Sequence, residues 1–368
     1  MPAGVLSDAE EQELKAACRL QWVDDVPTRF AALPREGSRL EIHTGDQFPD
    51  RFAYTPSRGN GGGNENHFQG CQRLPGHYLA ISGGDWRHAS SHLFLGRLSS
   101  RAGRVRWGTN IQHGGPPASD AIVARVDLHG TMWHAGGIAS CGFVLAVPVE
   151  CTNKLPFKVP RGVKPPVCDP PRSRIVLVDL RAPAAPRVLS RHIQRDGRKA
   201  TAVALTLDSA GGYLLAVLRG VTKEEQAAEQ PKRDFKDQRI EFYRTVGGAI
   251  CGEFTGTAAF MPPKGMKWGD YQTINFIRET PGPGNPEGRL YLCGMAGNTV
   301  DLFEVTPPAG SAGPALRFLT SRDFALDRRY AEFKAGVGVY TEGGTLALYA
   351  VPQWRRLDGR LGLTEWAS

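Results

Sequence analysis

The sequence predicts an all-β protein, a five-bladed β-propeller, and three observations carry that expectation. A unit resembling Trp133 to Glu150, WHAGGIASCGFVLAVPVE, recurs from His67, Thr201, Tyr271 and Phe333, at starts 62 to 70 residues apart, and a fixed period of this length marks a repeat architecture. Each unit also contains an apolar run broken by small residues, a glycine turn and a second run rich in aromatic residues or leucine, which is the pattern of two antiparallel strands. Finally, no stretch reaches 18 apolar residues and the apolar fraction is 41%, which suits many short strands and excludes a membrane-spanning helix.

Residues 1 to 20 read as a short helix, because Ser7 followed by Glu10 is a capping-box pair and Leu14, Ala17 and Cys18 share one side at helical spacing. It is expected to pack on the outside of the ring. The helix and its linker form an N-terminal segment, 1–37, and the propeller occupies 38–368. From Pro27 to Gly63 the chain reads as loop apart from one strand at Arg39 to Thr44. GNGGGN at 59 to 64 lacks the Gly-Lys-Ser/Thr of a phosphate loop.

A third strand in each unit shows period-two alternation: His92 to Leu98, Arg174 to Leu180, Arg239 to Arg244 and Thr299 to Val305. A fourth is expected at Ala121 to Leu128, Arg187 to Ile193, Glu253 to Phe260 and Leu316 to Asp323. Four antiparallel strands make a propeller blade. The last unit is one strand short, since only Arg360 to Trp366 follows Leu346 to Val351, while Arg39 to Thr44 is a strand to spare. Joining the two closes the ring and covers an open sheet edge. A count of six blades follows instead if residues 38 to 57 hold a degenerate blade.

In the second unit, Arg174 to Ile193 (RIVLVDLRAPAAPRVLSRHI) has an apolar strand ending in Asp179, a turn containing proline and a strand with Val188 and Leu189. These twenty residues resemble the LVIVD repeat of bacterial β-propellers. The other blades lack the Asp-x-x-x-Pro turn, so the resemblance implies a propeller and no activity, because one fold serves many functions.

Strand alternation brings the loop entering each first strand and the loop leaving each second strand to one face. The entering loops carry His67, Trp133, His134, Tyr271, Gln272 and Lys334, and the leaving loops carry Asp85, Glu150, Arg219 and Trp354; of these Trp133, Arg219, Tyr271, Gln272, Lys334 and Trp354 are the expected ligand contacts. His67 and His134 hold equivalent positions in adjacent blades. Histidines there either hydrogen-bond loop backbone or, because imidazole titrates near neutrality, serve as acid and base or contact a ligand, with Glu150 or Asp85 as partner. No metal is expected: two blades offer histidine, and a zinc or iron site needs three or four ligands. No cofactor is expected either.

The formal charge of +8 favours an anionic small molecule or an acidic protein partner. Residues 152 to 174 carry Lys154, Lys158, Arg161, Lys164, Arg172 and Arg174 against Asp169 alone. Nucleic acid is not indicated, for no zinc-finger, helix-turn-helix or RNP pattern accompanies the charge. The alternative functions are a hydrolase or lyase using His67, His134, Glu150 and Asp85, and a protein-interaction scaffold. Seven cysteines without C-x-x-C spacing, together with an N-terminus lacking the basic and apolar regions of a secretory signal, predict a reduced, cytoplasmic compartment. Cys71, Cys141 and Cys293 fall within strand patterns and are expected to be small buried hydrophobes.

Overall fold

A computed structural model describes residues 4–43, 67–85, 90–98, 121–151, 168, 172–221, 225, 238–257, 259–306, 313–334, 336–352 and 360–367. The chain begins with α1 (Asp8–Leu20), α2 (Val26–Ala32) and β1 (Ser38–His43). Blade 1 follows as β2 (His67–Leu74), β3 (Tyr78–Asp85), β4 (Ser90–Arg97) and β5 (Ala121–His129). In blade 2 the inner strand is split into β6 (His134–Ala135) and β7 (Ala139–Cys141), both pairing with β8 (Val144–Cys151), and β9 (Arg172–Asp179) and β10 (Arg187–Asp196) lie outside. Blade 3 comprises β11 (Ala202–Leu207), β12 (Tyr213–Arg219), β13 (Arg239–Thr245) and β14 (Phe254–Gly256), and blade 4 comprises β15 (Thr273–Arg278), β16 (Leu290–Ala296), β17 (Thr299–Thr306) and β18 (Ala315–Asp323).

Blade 5 holds β19 (Val337–Glu342), β20 (Thr345–Ala350) and β21 (Arg360–Ala367), and β1 completes it. The ladder runs antiparallel from Ser38 opposite Glu365 to His43 opposite Arg360. The spare strand of one terminus therefore fills the place missing at the other, and the ring has five blades. A single parallel pairing of His43 with Ala121 links this blade to blade 1.

Successive inner strands are neighbours around the axis, and apolar side chains of facing blades meet in five clusters, one per junction. The inner strands come together through glycine. A β-carbon on Gly136 would stand 2.0 Å from the Thr201 carbonyl oxygen, and with none there the Gly137 N–H donates to that oxygen at 2.9 Å. The axis itself is filled. Gln72 Nε2 donates to the Val339 carbonyl at 2.6 Å, the Val339 N–H donates to Asn275 Oδ1 at 2.9 Å, and these residues line a cavity of about 20 Å³.

The N-terminal helix begins as expected: Ser7 Oγ accepts from the Glu10 N–H, and Glu10 Oε2 accepts from the Ser7 N–H. Its position corrects the sequence expectation. α1 lies over the end of the ring where first strands finish, with Leu14 and Cys18 inside the core of the blade 2–3 junction. Cys18, Gln21 and Trp22 line the axial cavity. The reason is that Glu11 is a buried acceptor, taking the Tyr213 hydroxyl at 2.7 Å and the Ile250 N–H at 3.1 Å, while Gln21 Oε1 takes the Gly142 N–H at 2.7 Å. Residues expected to be loop after Pro27 begin inside a second helix, α2, whose Val26 and Phe30 enter the blade 4–5 core.

Four cysteines are paired, Cys18 with Cys141 and Cys151 with Cys168, at Cα separations of 5.1 and 5.6 Å. The two disulfides depart from the expectation of a reduced compartment, while Cys71, Cys251 and Cys293 are free. Cys141 is buried as expected but bonded to the helix. Burial pushes the Cys71 and Cys293 thiols well above the usual range, which makes them inert. Among the described residues no helix is long and apolar enough to cross a membrane.

Candidate functional site

The strand-entry end of blade 2 brings together three of the residues that alternation selected. His134 opens β6 directly opposite Glu150 of β8, and its Nδ1 lies 3.1 Å from Glu150 Oε1. The other carboxylate oxygen of Glu150 accepts the Ala200 N–H of blade 3 at 2.8 Å. The close approach at Gly136 explains this contact, since it draws the segment entering β11 against the end of β8. Trp133 is fully buried and meets the His134 ring edge-on at 5.3 Å between centroids. Burial alone would raise the Glu150 carboxyl. The hydrogen bond and charge of His134, the Lys199 ammonium and the Ala200 N–H outweigh it and hold the group below the usual carboxylate range.

A second buried carboxylate, Glu241 of β13, lies in the same junction. Its Oε2 accepts from Arg195 and from the Tyr243 hydroxyl, the latter at 2.8 Å, and its Oε1 accepts from Arg198 at 2.8 Å and Arg219 at 2.6 Å. Arg195 also donates to the Lys199 carbonyl and to Ser173 Oγ. Arg219 completes its donors on Glu225, at 2.6 and 2.7 Å. Burial raises the Glu241 carboxyl, but the charge and hydrogen bond of Arg195, helped by the hydrogen bonds of Tyr243 and Arg219, bring it down to about 2. Arg198 is different from the other arginines: half of its side chain is exposed (52%), against 2% for Arg195 and 3% for Arg219.

The remaining selected residues are spread around the ring. His67 pairs with Gly84 in the β2–β3 ladder, and a β-carbon on Gly84 would stand 2.0 Å from the Trp133 carbonyl oxygen, so the backbones of His67 and His134 share one end of adjacent blades. The side chains of His67 and Asp85, and all of Trp354, lie outside the described residues. Tyr271 is buried in blade 4 with its hydroxyl donating to Asp301 at 2.6 Å, and burial followed by that carboxylate raises the phenol. Gln272 is half-buried beside it, and Lys334 is exposed in blade 5. Arg219 and Tyr271, selected as ligand contacts, thus hold buried partners of their own. Arg195 and Glu241 escaped selection because they belong to a fourth and a third strand, which the loop rule did not sample, and Arg198 was passed over although it lies in the loop entering β11. Their signal was local: Arg195 and Arg198 flank Gly197, a turn with φ of +72°.

No family model and no curated protein matches the sequence. Among solved structures, the chain is similar to the α-L-arabinanase of Penicillium chrysogenum bound to arabinobiose, at 8% identity over 90% of this chain and 97% of that one, with a TM-score of 0.40. A GH93 α-L-arabinofuranosidase of Fusarium graminearum shows 8% identity over 85% and 79% at 0.40. A family 117 glycoside hydrolase of Zobellia galactanivorans shows 8% over 90% of both chains at 0.39.

Proposed function

We propose that this β-propeller binds a small anionic ligand, or an acidic segment of a partner, at the junction of blades 2 and 3, in an oxidising compartment. The observation that supports it is the charge of the junction. Arg195, Arg198, Arg219 and Lys199 gather around Glu150, Glu241 and Glu225, four cations to three carboxylates before His134 is counted. The buried arginines are matched by buried Glu241 and partly exposed Glu225, so the surplus resides on half-exposed Arg198 and Lys199, where an anion has access. The basic residues of the 152–167 stretch follow directly from Cys151, next to Glu150, and the Cys151–Cys168 bond closes the base of that stretch. Two disulfides also favour a location outside the reducing cytosol.

The hydrolase or lyase alternative needs a carboxylate facing a substrate. Glu150 instead has one oxygen on His134 and the other on Ala200, which makes it a fastening between blades. The test is a calorimetric screen of small carboxylates, phosphates and sulfates against the wild type, Arg198→Ala and the quadruple variant Lys154→Ala, Lys158→Ala, Arg161→Ala, Lys164→Ala. A bound anion should lose affinity in both variants, and its binding should weaken as salt rises, because exposed charges are screened over about 8 Å at physiological ionic strength. Affinity and salt dependence unchanged in both variants would remove the proposal.

A further inference from the structure

Blade 1 carries a separate arrangement of side chains on its two outer strands. Ser90 and His92 are two residues apart on β4 and so point to the same side of the sheet. His92 stands directly opposite Asp127 on β5. Ser90 Oγ is 3.1 Å from His92 Nε2, and His92 Nδ1 is 2.9 Å from Asp127 Oδ1. A carboxylate can only accept, so Nδ1 carries the proton of the neutral imidazole. Nε2 is then the acceptor, and the hydroxyl of Ser90 donates to it. The order is a nucleophile, a base and a group that orients the base, each within hydrogen-bond reach of the next.

The surroundings hold the middle of this chain in place. The His92 imidazole is buried (5% exposed) and leans on the Phe94 ring at 5.9 Å. Arg125 grips Asp127 through Nε at 3.1 Å from Oδ1 and Nη2 at 3.1 Å from Oδ2, which fixes the plane of the carboxylate. Ser90 is half-buried and Asp127 is exposed, so both ends of the chain reach solvent, and Ser90 is the end that carries a nucleophile. All four residues stand on paired strands, which hold such geometry better than loops do.

We propose that Ser90, His92 and Asp127 form a nucleophilic site that hydrolyses carboxylic esters, distinct from the anion site between blades 2 and 3. Ser90 Oγ attacks the ester carbonyl carbon and forms an O–C bond while its proton passes to His92 Nε2. The carbon–alkoxy bond breaks, and the leaving oxygen takes that proton and departs as an alcohol. Water then adds to the acyl-serine, gives its proton to His92, and the acid leaves as the proton returns to Ser90. Ester and water become acid and alcohol. Ser90 and His92 are the catalytic residues, and Asp127 is a positioning residue.

The experiment is labelling of the full chain by an alkyl fluorophosphonate, which forms an Oγ–P bond with loss of fluoride and a proton, followed by peptide mass mapping. The expected result is an adduct on Ser90, absent from Ser90→Ala, and slowed at least ~100-fold in His92→Gln, the lower end of what a general base contributes. Asp127→Asn should slow labelling and Asp127→Glu restore part of it, with melting temperatures unchanged, which a merely structural role for Asp127 would not produce. Hydrolysis of 4-nitrophenyl acetate should fall in the same order. Ser90→Ala removes a single oxygen and keeps the test readable if His92→Gln does not fold. No adduct on Ser90 in the wild type, or an adduct forming equally fast without the imidazole, would overturn the proposal.

Discussion

Between blades 4 and 5, Phe324, Phe333 and Trp366 pack tilted or edge-on with ring centroids 5.6 to 5.9 Å apart, whereas the junction of blades 2 and 3 buries Glu241 among arginines and Glu150 against His134. Both junctions join the same kind of blade, and both receive an N-terminal helix. The aromatic contact gains by removing apolar area from water and by ring geometry, so neither pH nor salt should alter it much. The charged contact takes ions out of water at a cost that their attraction little more than offsets. One junction is therefore a stability element. The other is where protons, salt and an incoming anion have leverage.

The largest expected effect comes from removing what the two junctions share. Deleting residues 1–46 takes Leu14 and Cys18 from one core, Phe30 and Leu33 from the other, and β1 from blade 5. Size-exclusion chromatography should show aggregation through the exposed edge of β21, and a monomeric, fully folded truncation would break the closure argument.

At the next level, Trp366→Ala should cost about 3–5 kcal/mol through the cavity it leaves. Glu241→Ala should cost a similar ~3–5 kcal/mol by leaving Arg195 and Arg219 buried without their acid. Denaturant titrations at several pH values separate the two. Glu241 titrates at about 2 in the folded protein against an ordinary 4.5, so its contribution is fully present above pH 4.5 and is lost as pH falls toward 2. The Glu241→Ala penalty should shrink over that window while the Trp366→Ala penalty holds steady. Equal pH profiles for the two variants would erase the distinction between the junctions.

The smallest effect is expected at His134. Losing its hydrogen bond to Glu150 should cost roughly 1 kcal/mol in His134→Ala, and Trp133 fluorescence should report the change because the two rings touch. A loss several times larger would mean that Glu150 is left uncompensated and belongs with Glu241 in a single charge network.

The blades were legible because strand alternation has a period of two and each unit repeats it, and the closure was legible because a strand was missing at one end and spare at the other. α2 was not: seven residues are too few for a helical period, and Asp25, its N-cap, sits in the left-handed region at φ +44°. Nor was the Cys18–Cys141 bond, since a cysteine in a strand pattern looks the same bonded or free, and seven cysteines admit many pairings. At the candidate site, alternation put His134 and Glu150 at the same end of blade 2, where the β6–β8 ladder pairs them. It could not tell which residues turn inward, so Arg219 and Tyr271 looked available when each has a buried carboxylate partner. Ser90, His92 and Asp127 were hidden for another reason. Each fits its strand pattern, and only the β4–β5 register brings residues 35 positions apart within hydrogen-bond distance.

The N-terminal segment is bonded to blade 2 at Cys18 and reaches blade 5 at Ser38, with Val23 hydrogen-bonded to blade 4 on the way. The strand that closes the ring is thus leashed on both sides, by the disulfide before it and by the chain leading to blade 1 after it. If β1 peels away from β21, it cannot diffuse off. Its local concentration near the vacated edge stays high, rejoining is a unimolecular event, and the edge has little time to capture a strand from another molecule. Reducing agent should therefore make the protein prone to domain exchange at a temperature where every blade is still folded.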